Sequence, residues 1–231
     1  MYELHAWPTP NGYKVSILLE ELGQPHEVVP VDIGAGDQFR PDFLEISPNN
    51  KMPVLVDRDG PGGKPLAIFE SGAIMMYLAE KHGRFWPADT RARYDVAQWL
   101  MFQMASVGPM LGQAGHFLNY APEPIRYAID RYVNEGRRIY GVLDRRLARG
   151  EWLAGGAYSI ADMAVFPWLR FPDRQGQDMA QFPNLRRWFE AIDARPATKR
   201  GCALLAERRR AGPPDARARE MLFGATQYQK R

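Results

Sequence analysis

Among its 231 residues the chain has one cysteine, Cys202. A single thiol rules out an internal disulfide and a paired-cysteine redox motif, and it fits a reducing, cytoplasmic location. Long apolar runs are also missing. No stretch approaches the roughly 20 apolar residues that a membrane span needs. Near Met1, Glu3, His5 and Pro8 interrupt any segment that would read as a secretory signal. The four histidines (His5, His26, His82 and His116) lack ligand spacing, so no metal is expected. The formal net charge is only +3, and from Glu207 onward seven basic residues face three acidic ones. The basic excess thus sits in a Pro- and Gly-containing tail, the rest of the chain is nearly neutral, and no nucleic-acid partner is expected.

What is present is a change of pattern along the chain. Tyr2 to Trp7 alternate as a strand, and Asn11 to Leu22 place Val15, Leu18, Leu19 and Leu22 on one helical face, closed by Gly23. His26 to Asp32 form a second strand, and Phe39 to Ile46 a short irregular helix. Pro53 to Asp57 and Pro65 to Phe69 flank the turn-forming Asp59-Gly60-Pro61-Gly62-Gly63 as a hairpin. Ser71 then caps a helix running to Gly83. The order β-α-β, irregular crossover, β-β-α predicts a mixed four-stranded sheet of thioredoxin-like type. Beyond residues 84–92 the helical period takes over at Asp89–Tyr120, Glu123–Leu147, Ile160–Leu169 and Pro183–Ala194. The expected organisation is therefore an α/β domain at 1–84, an all-α domain at 92–210 and a flexible basic tail at 211–231.

Several segments invite a functional reading. Gly34-Ala35-Gly36-Asp37-Gln38-Phe39 has Phe where a dinucleotide fingerprint needs its third glycine, and Gly60 to Lys64 lacks the spacing of a phosphate loop. Trp7-Pro8-Thr9-Pro10-Asn11-Gly12 puts two polar side chains at a helix N-terminus, where unpaired backbone N–H groups favour an anion. Pro53 opens a strand after a polar loop, a position that suits either a trans or a cis peptide; a cis bond would turn the Met52 backbone outward. Glu70-Ser71 ends a strand and begins a helix, so it serves either as a plain cap or as an acceptor and donor pair for the two charges of an amino acid end. Ser159-Ile160-Ala161-Asp162 has capping-box form and is assigned to folding.

As an ordered set covering about residues 1–205, these segments resemble the cytosolic glutathione transferase superfamily. Thr9-Pro10-Asn11-Gly12, Gly36-Asp37-Gln38-Phe39-Arg40-Pro41, Ile46-Ser47-Pro48-Asn49-Asn50-Lys51 and Gly108-Pro109-Met110-Leu111-Gly112-Gln113 look like its nu class. Members of that class are bacterial glutathione-dependent disulfide-bond reductases with weak transferase and some peroxidase activity. The resemblance implies glutathione as cosubstrate, no metal, a small disulfide as second substrate, and a homodimer. It implies that Glu70 and Ser71 hold the γ-glutamyl end and that Met52, before a cis-Pro53, pairs with the cysteinyl backbone. Gln38 and Lys51 would bind polar parts of the tripeptide, and Arg131 would reach the neighbouring subunit's site. Thr9 and Asn11 would face the sulfur as the catalytic pair, with Tyr13 as an alternative donor. Two other readings stay open: a transferase conjugating glutathione to apolar electrophiles, and a non-catalytic glutathione-binding interaction protein.

Overall fold

The computed structural model describes residues 1–209 and 212–230. They group into two compact units, residues 1–74 with the described part of 200–231, and residues 75–199. The division falls inside a helix rather than in the loop at 84–92, and the chain returns to the first unit at Arg200.

The first unit is built on β1 (Tyr2–Ala6), α1 (Pro10–Leu22), β2 (His26–Pro30), α2 (Pro41–Ile46), β3 (Val54–Asp57) and β4 (Leu66–Phe69). The sheet order is β2-β1-β3-β4. β1 and β2 are parallel, while β1–β3 and β3–β4 are antiparallel. This is the mixed thioredoxin-like sheet, and the reason is connectivity: a helix returns β2 parallel to β1, whereas the Gly- and Pro-rich turn permits only a hairpin. Leu4 and Leu55 face each other in the register, both fully buried. Val31, Phe43 and Val54 form a second cluster, against which Ile46 and Met52 pack.

α1 is buried along almost its whole length, from Gly12 through Leu19. Gly12 is required by space: a Cβ there would lie 2.4 Å from the Trp7 carbonyl oxygen. Residues from 200 onward cover another part of α1. Ser16 Oγ donates to the Gly201 carbonyl at 2.7 Å, and a Cβ on Gly201 would lie 2.6 Å from Ile17 Cα. α10 (Ala216–Phe223) completes this unit, where the sequence predicts a flexible tail. Asp215 caps it by accepting from the Ala218 amide at 2.8 Å, and Ala218 is fully buried. The apolar residues Ala218, Met221 and Leu222 recur at helical spacing, which gives the charged segment one face to bury.

α3 (Ser71–His82) leads into the second unit, which is all-α: α4 (Thr90–Phe102), α5 (Gly108–Asn119), α6 (Arg126–Leu147), α7 (Ile160–Val165) and α8 (Pro183–Asp193), with α9 (Pro196–Cys202) leading out. α5 packs on α6, α6 on α8 and α4 on α7. The single helix predicted over 89–120 is instead two, joined by a π-helical turn at Gln103–Val107. Pro109 lacks the N–H that a continuous ladder requires, and the extra residue of the π turn absorbs the defect. α7 likewise gives way to a 3₁₀ turn before Pro167. The expected capping box is formed: Asp162 accepts from the amides of Leu153 and Ser159, the Ser159 hydroxyl and the Trp188 indole N–H, at 2.8–3.1 Å. Among the described residues no helix is long and apolar enough to cross a membrane.

Candidate functional site

The turn between β1 and α1 is shaped by its sequence. Thr9 is the N-cap in extended conformation, and Pro10, with φ preset for a helix and no N–H to lose, takes the first helical position. The Thr9 hydroxyl oxygen lies 3.5 Å from the Gly12 amide, a long cap contact, and the hydroxyl donates to Met52 Sδ at 3.6 Å. Thr9 is thereby tied to the loop before β3, where the Met52–Pro53 peptide is cis. Asn11, on the first turn of α1, faces a cavity of about 250 Å³. Gln38, Lys51, Met52, Pro53, Glu70 and Ser71 line the same cavity. Seven of the residues singled out from the sequence, Asn11 included, thus converge on one opening.

Two stand elsewhere. Thr9 meets Met52 but is not among the lining residues. Arg131 is exposed on α6, beside a shallow depression shared with Asp130 and Glu135. The alternative donor Tyr13 is buried and does not line the cavity, and neither does the half-buried Cys202.

The far wall is made by the β4–α3 junction. α3 opens at Ser71, and the Glu70 carbonyl receives the Ile74 amide at 3.0 Å. Glu70 therefore takes the cap position that the sequence assigns to Ser71. Its φ is +67°, a left-handed conformation that non-glycine residues adopt at a cost and that concentrates at functional turns. Ser71 is buried, and its hydroxyl accepts from Lys14 Nζ at 3.2 Å.

Lys14 is the chemically important residue missed in the sequence. It projects from α1 and is almost fully buried. Desolvation pushes its amine down to about 7, partly opposed by the negative charge of Glu70. A buried amine whose charged form is disfavoured by desolvation thus stands behind the Ser71 hydroxyl. The loop before β3 contributes Asn50, at φ +45°, also missed. Its buried Nδ2 and the buried Oε1 of Gln38 have no hydrogen-bond partner among the described residues, and both side chains line the cavity. Buried polar atoms are rarely left so, because each costs about 1–3 kcal/mol. Gln38 Nε2 is satisfied by the carbonyls of Ile33 and Met221. Lys51, held below the ordinary lysine range by desolvation, donates to Gln227 Oε1 at 3.3 Å. Among the described residues no group of three His, Cys, Asp or Glu side chains is placed to hold a metal ion.

Residues 1–80 match the glutathione S-transferase N-terminal domain family, and residues 112–196 match the glutathione S-transferase C-terminal domain family. The chain is 50% identical over 206 residues to the disulfide-bond oxidoreductase YfcG of Escherichia coli strain K12, covering 89% of this chain and 95% of the relative. This chain belongs to the glutathione S-transferase superfamily. Solved members of that superfamily agree in fold. A Burkholderia graminis glutathione transferase with two glutathione molecules per subunit matches with a TM-score of 0.83 and 46% identity, over 87% of either chain. A Pseudomonas putida glutathione transferase with one glutathione disulfide per subunit matches with a TM-score of 0.84 and 45% identity, over 88% of this chain and 91% of that one. Membership in the superfamily accounts for both units of this chain, the mixed sheet and the helical bundle.

Proposed function

We propose that this chain is a glutathione-dependent disulfide reductase in which the reacting thiol belongs to glutathione and not to the protein. The observation that carries this reading is the composition of the cavity wall. An amide side chain at a helix N-terminus, a cis-proline loop and a Glu-Ser junction face one opening, and no cysteine is among its lining residues. The name of the E. coli relative supports the reaction class. The Burkholderia and Pseudomonas structures support a site that takes two glutathionyl halves, as two molecules or as their disulfide.

In this reading Glu70 takes the ammonium of the γ-glutamyl end and Ser71 its carboxylate, with Lys14 behind Ser71 adding positive potential as its amine gains a proton. Gln38 and Lys51 take polar parts of the tripeptide, including the glycyl carboxylate, and the Met52 backbone pairs with the cysteinyl residue. A free thiol ionises near pH 8.5, so only a few per cent is thiolate at neutrality. The Asn11 amide and the N-terminus of α1 favour the thiolate by charge-assisted hydrogen bonds worth about 1.5–3 kcal/mol each. Thr9, held against Met52, keeps that loop in place and adds a hydroxyl at the same helix end. Its hydroxyl stays protonated at neutral pH and so does not act as a base.

The thiolate attacks one sulfur of the disulfide substrate, forming a mixed disulfide and releasing the other half as a thiolate. A second glutathione thiolate then attacks the glutathionyl sulfur, giving glutathione disulfide and releasing the remaining thiolate. Two glutathione thiols supply the two electrons. A cytoplasmic homodimer, with Arg131 of each subunit reaching the other's cavity, belongs to the same proposal. The test is a side-by-side rate measurement on a small mixed disulfide and on a chloro-nitroaromatic acceptor. Faster disulfide reduction is expected. Faster conjugation would make the chain a conjugating transferase, and glutathione binding without either reaction would make it an interaction protein.

A further inference from the structure

The mechanism above leaves unused the segment that the sequence assigns to a flexible tail. Residues 215–228 are internally braced. Asp215 caps α10, and Glu220 Oε1 accepts from both the amide and the hydroxyl of Thr226, at 3.0 and 2.9 Å. Gln227 Nε2 donates back to the Met221 carbonyl, which also accepts from Gln38 Nε2. The brace presents Leu222 and Gln227 to the cavity as lining residues. On the opposite side, a Cβ at Gly36 would come within 3.0 Å of Met221 Sδ, so the segment lies close against the Gly36–Gln38 turn.

The contact that gives this arrangement chemical meaning is Lys51 Nζ to Gln227 Oε1. A neutral amide oxygen is a weaker partner for an ammonium than a carboxylate, which brings a full opposite charge to the same hydrogen bond. With the segment in place the cavity, at about 250 Å³, is slightly below the roughly 300–1,000 Å³ of ordinary small-molecule sites. We propose that Gln227 occupies Lys51 as a stand-in for a ligand carboxylate, so that residues 216–228 form a displaceable wall that sets the affinity and the end-group selectivity of the cavity. A ligand with a carboxylate at that end displaces the amide from Lys51; a ligand with a neutral end does not and gains nothing there. This rests on the glutathione reading for the identity of the ligand, while the Lys51–Gln227 contact stands without it.

The test uses the full-length chain, Gln227→Ala and Gln227→Glu, titrated calorimetrically with glutathione and with glutathione amidated at its glycyl carboxylate. Gln227→Ala is expected to bind glutathione about three- to tenfold more tightly, the value of one exposed hydrogen bond no longer displaced. Gln227→Glu is expected to bind it about tenfold more weakly, with the loss recovered in high salt. Neither substitution should change the affinity for the amidated ligand. Without ligand, a lysine-directed acylating reagent should label Lys51 faster in Gln227→Ala and more slowly in Gln227→Glu. Equal labelling in all three chains, or equal glutathione affinity in all three, overturns the proposal. Labelling that changes as stated in chains that all fail to bind glutathione overturns the glutathione reading and with it the proposed selectivity, while the Lys51–Gln227 contact stands.

Discussion

Among the described residues two helix N-termini carry a hydroxyl residue at the cap, and they are finished in opposite ways. At α7, Ser159 and Asp162 close on each other, and the buried Asp162 carboxylate accepts from four donors. Burial pushes its carboxyl up to about 6 despite those donors. At α1, Thr9 makes only a long contact with the Gly12 amide, and Asn11 turns to a cavity whose walls hold unpartnered polar atoms among the described residues. The first end is saturated and serves folding. The second faces a cavity in which Gln38 Oε1 and Asn50 Nδ2 are left for a ligand. The sequence marks the difference, since only Ser159-Ile160-Ala161-Asp162 has capping-box form, and the structure gives it a physical basis in what each end faces.

Breaking the saturated end should have the largest effect. Asp162→Ala leaves four buried donors without an acceptor, and a loss of about 3–5 kcal/mol is expected, seen as a large drop in the urea midpoint. A loss under about 1 kcal/mol would make the box an ordinary cap. The open end should respond in the reverse manner. Asn11→Ala is expected to cut disulfide reduction by about ten- to a hundredfold while moving stability by less than about 1 kcal/mol. Unchanged turnover would transfer the sulfur contact to Thr9.

Lys14 sharpens the comparison because it is a buried charge behind the open site. Between about pH 7 and the ordinary lysine range, the unfolded chain holds a proton on this amine that the folded chain does not. Folding stability therefore rises with pH across that window, by at most about 1.4 kcal/mol per pH unit, and this group adds no slope below it. Lys14→Met should remove that rise, measured as unfolding free energy against pH. A slope identical to the parent's would mean that Lys14 is solvated.

The sheet was legible because strand alternation, a glycine-closed helix and a Pro-Gly turn each dictate one connection. The cis-proline loop and the Glu70–Ser71 junction were legible as positions, though not in their geometry: periodicity does not reveal that Glu70, with positive φ, takes the cap. Lys14 escaped because a lysine beside an apolar stripe reads as solvated. Its signal was the helix itself, since Val15, Ile17, Leu18 and Leu19 leave little of α1 polar, and a helix apolar nearly all round is buried. The segment 216–228 escaped because Pro213 and Pro214 before it, Gly224 within it and its charges read as a solvated tail, while the spacing of Ala218, Met221 and Leu222 behind Asp215 was a short helix signal among them. Gln103–Val107 shows the converse, a helical period that continues through a backbone defect.

The claim that the open site borrows its thiol is tested most directly in Cys202→Ser. Steady-state reduction of a small mixed disulfide by glutathione should stay within about twofold of the parent rate. A fall of about tenfold or more, with glutathione found covalently on Cys202 of the parent chain during turnover, would contradict the account.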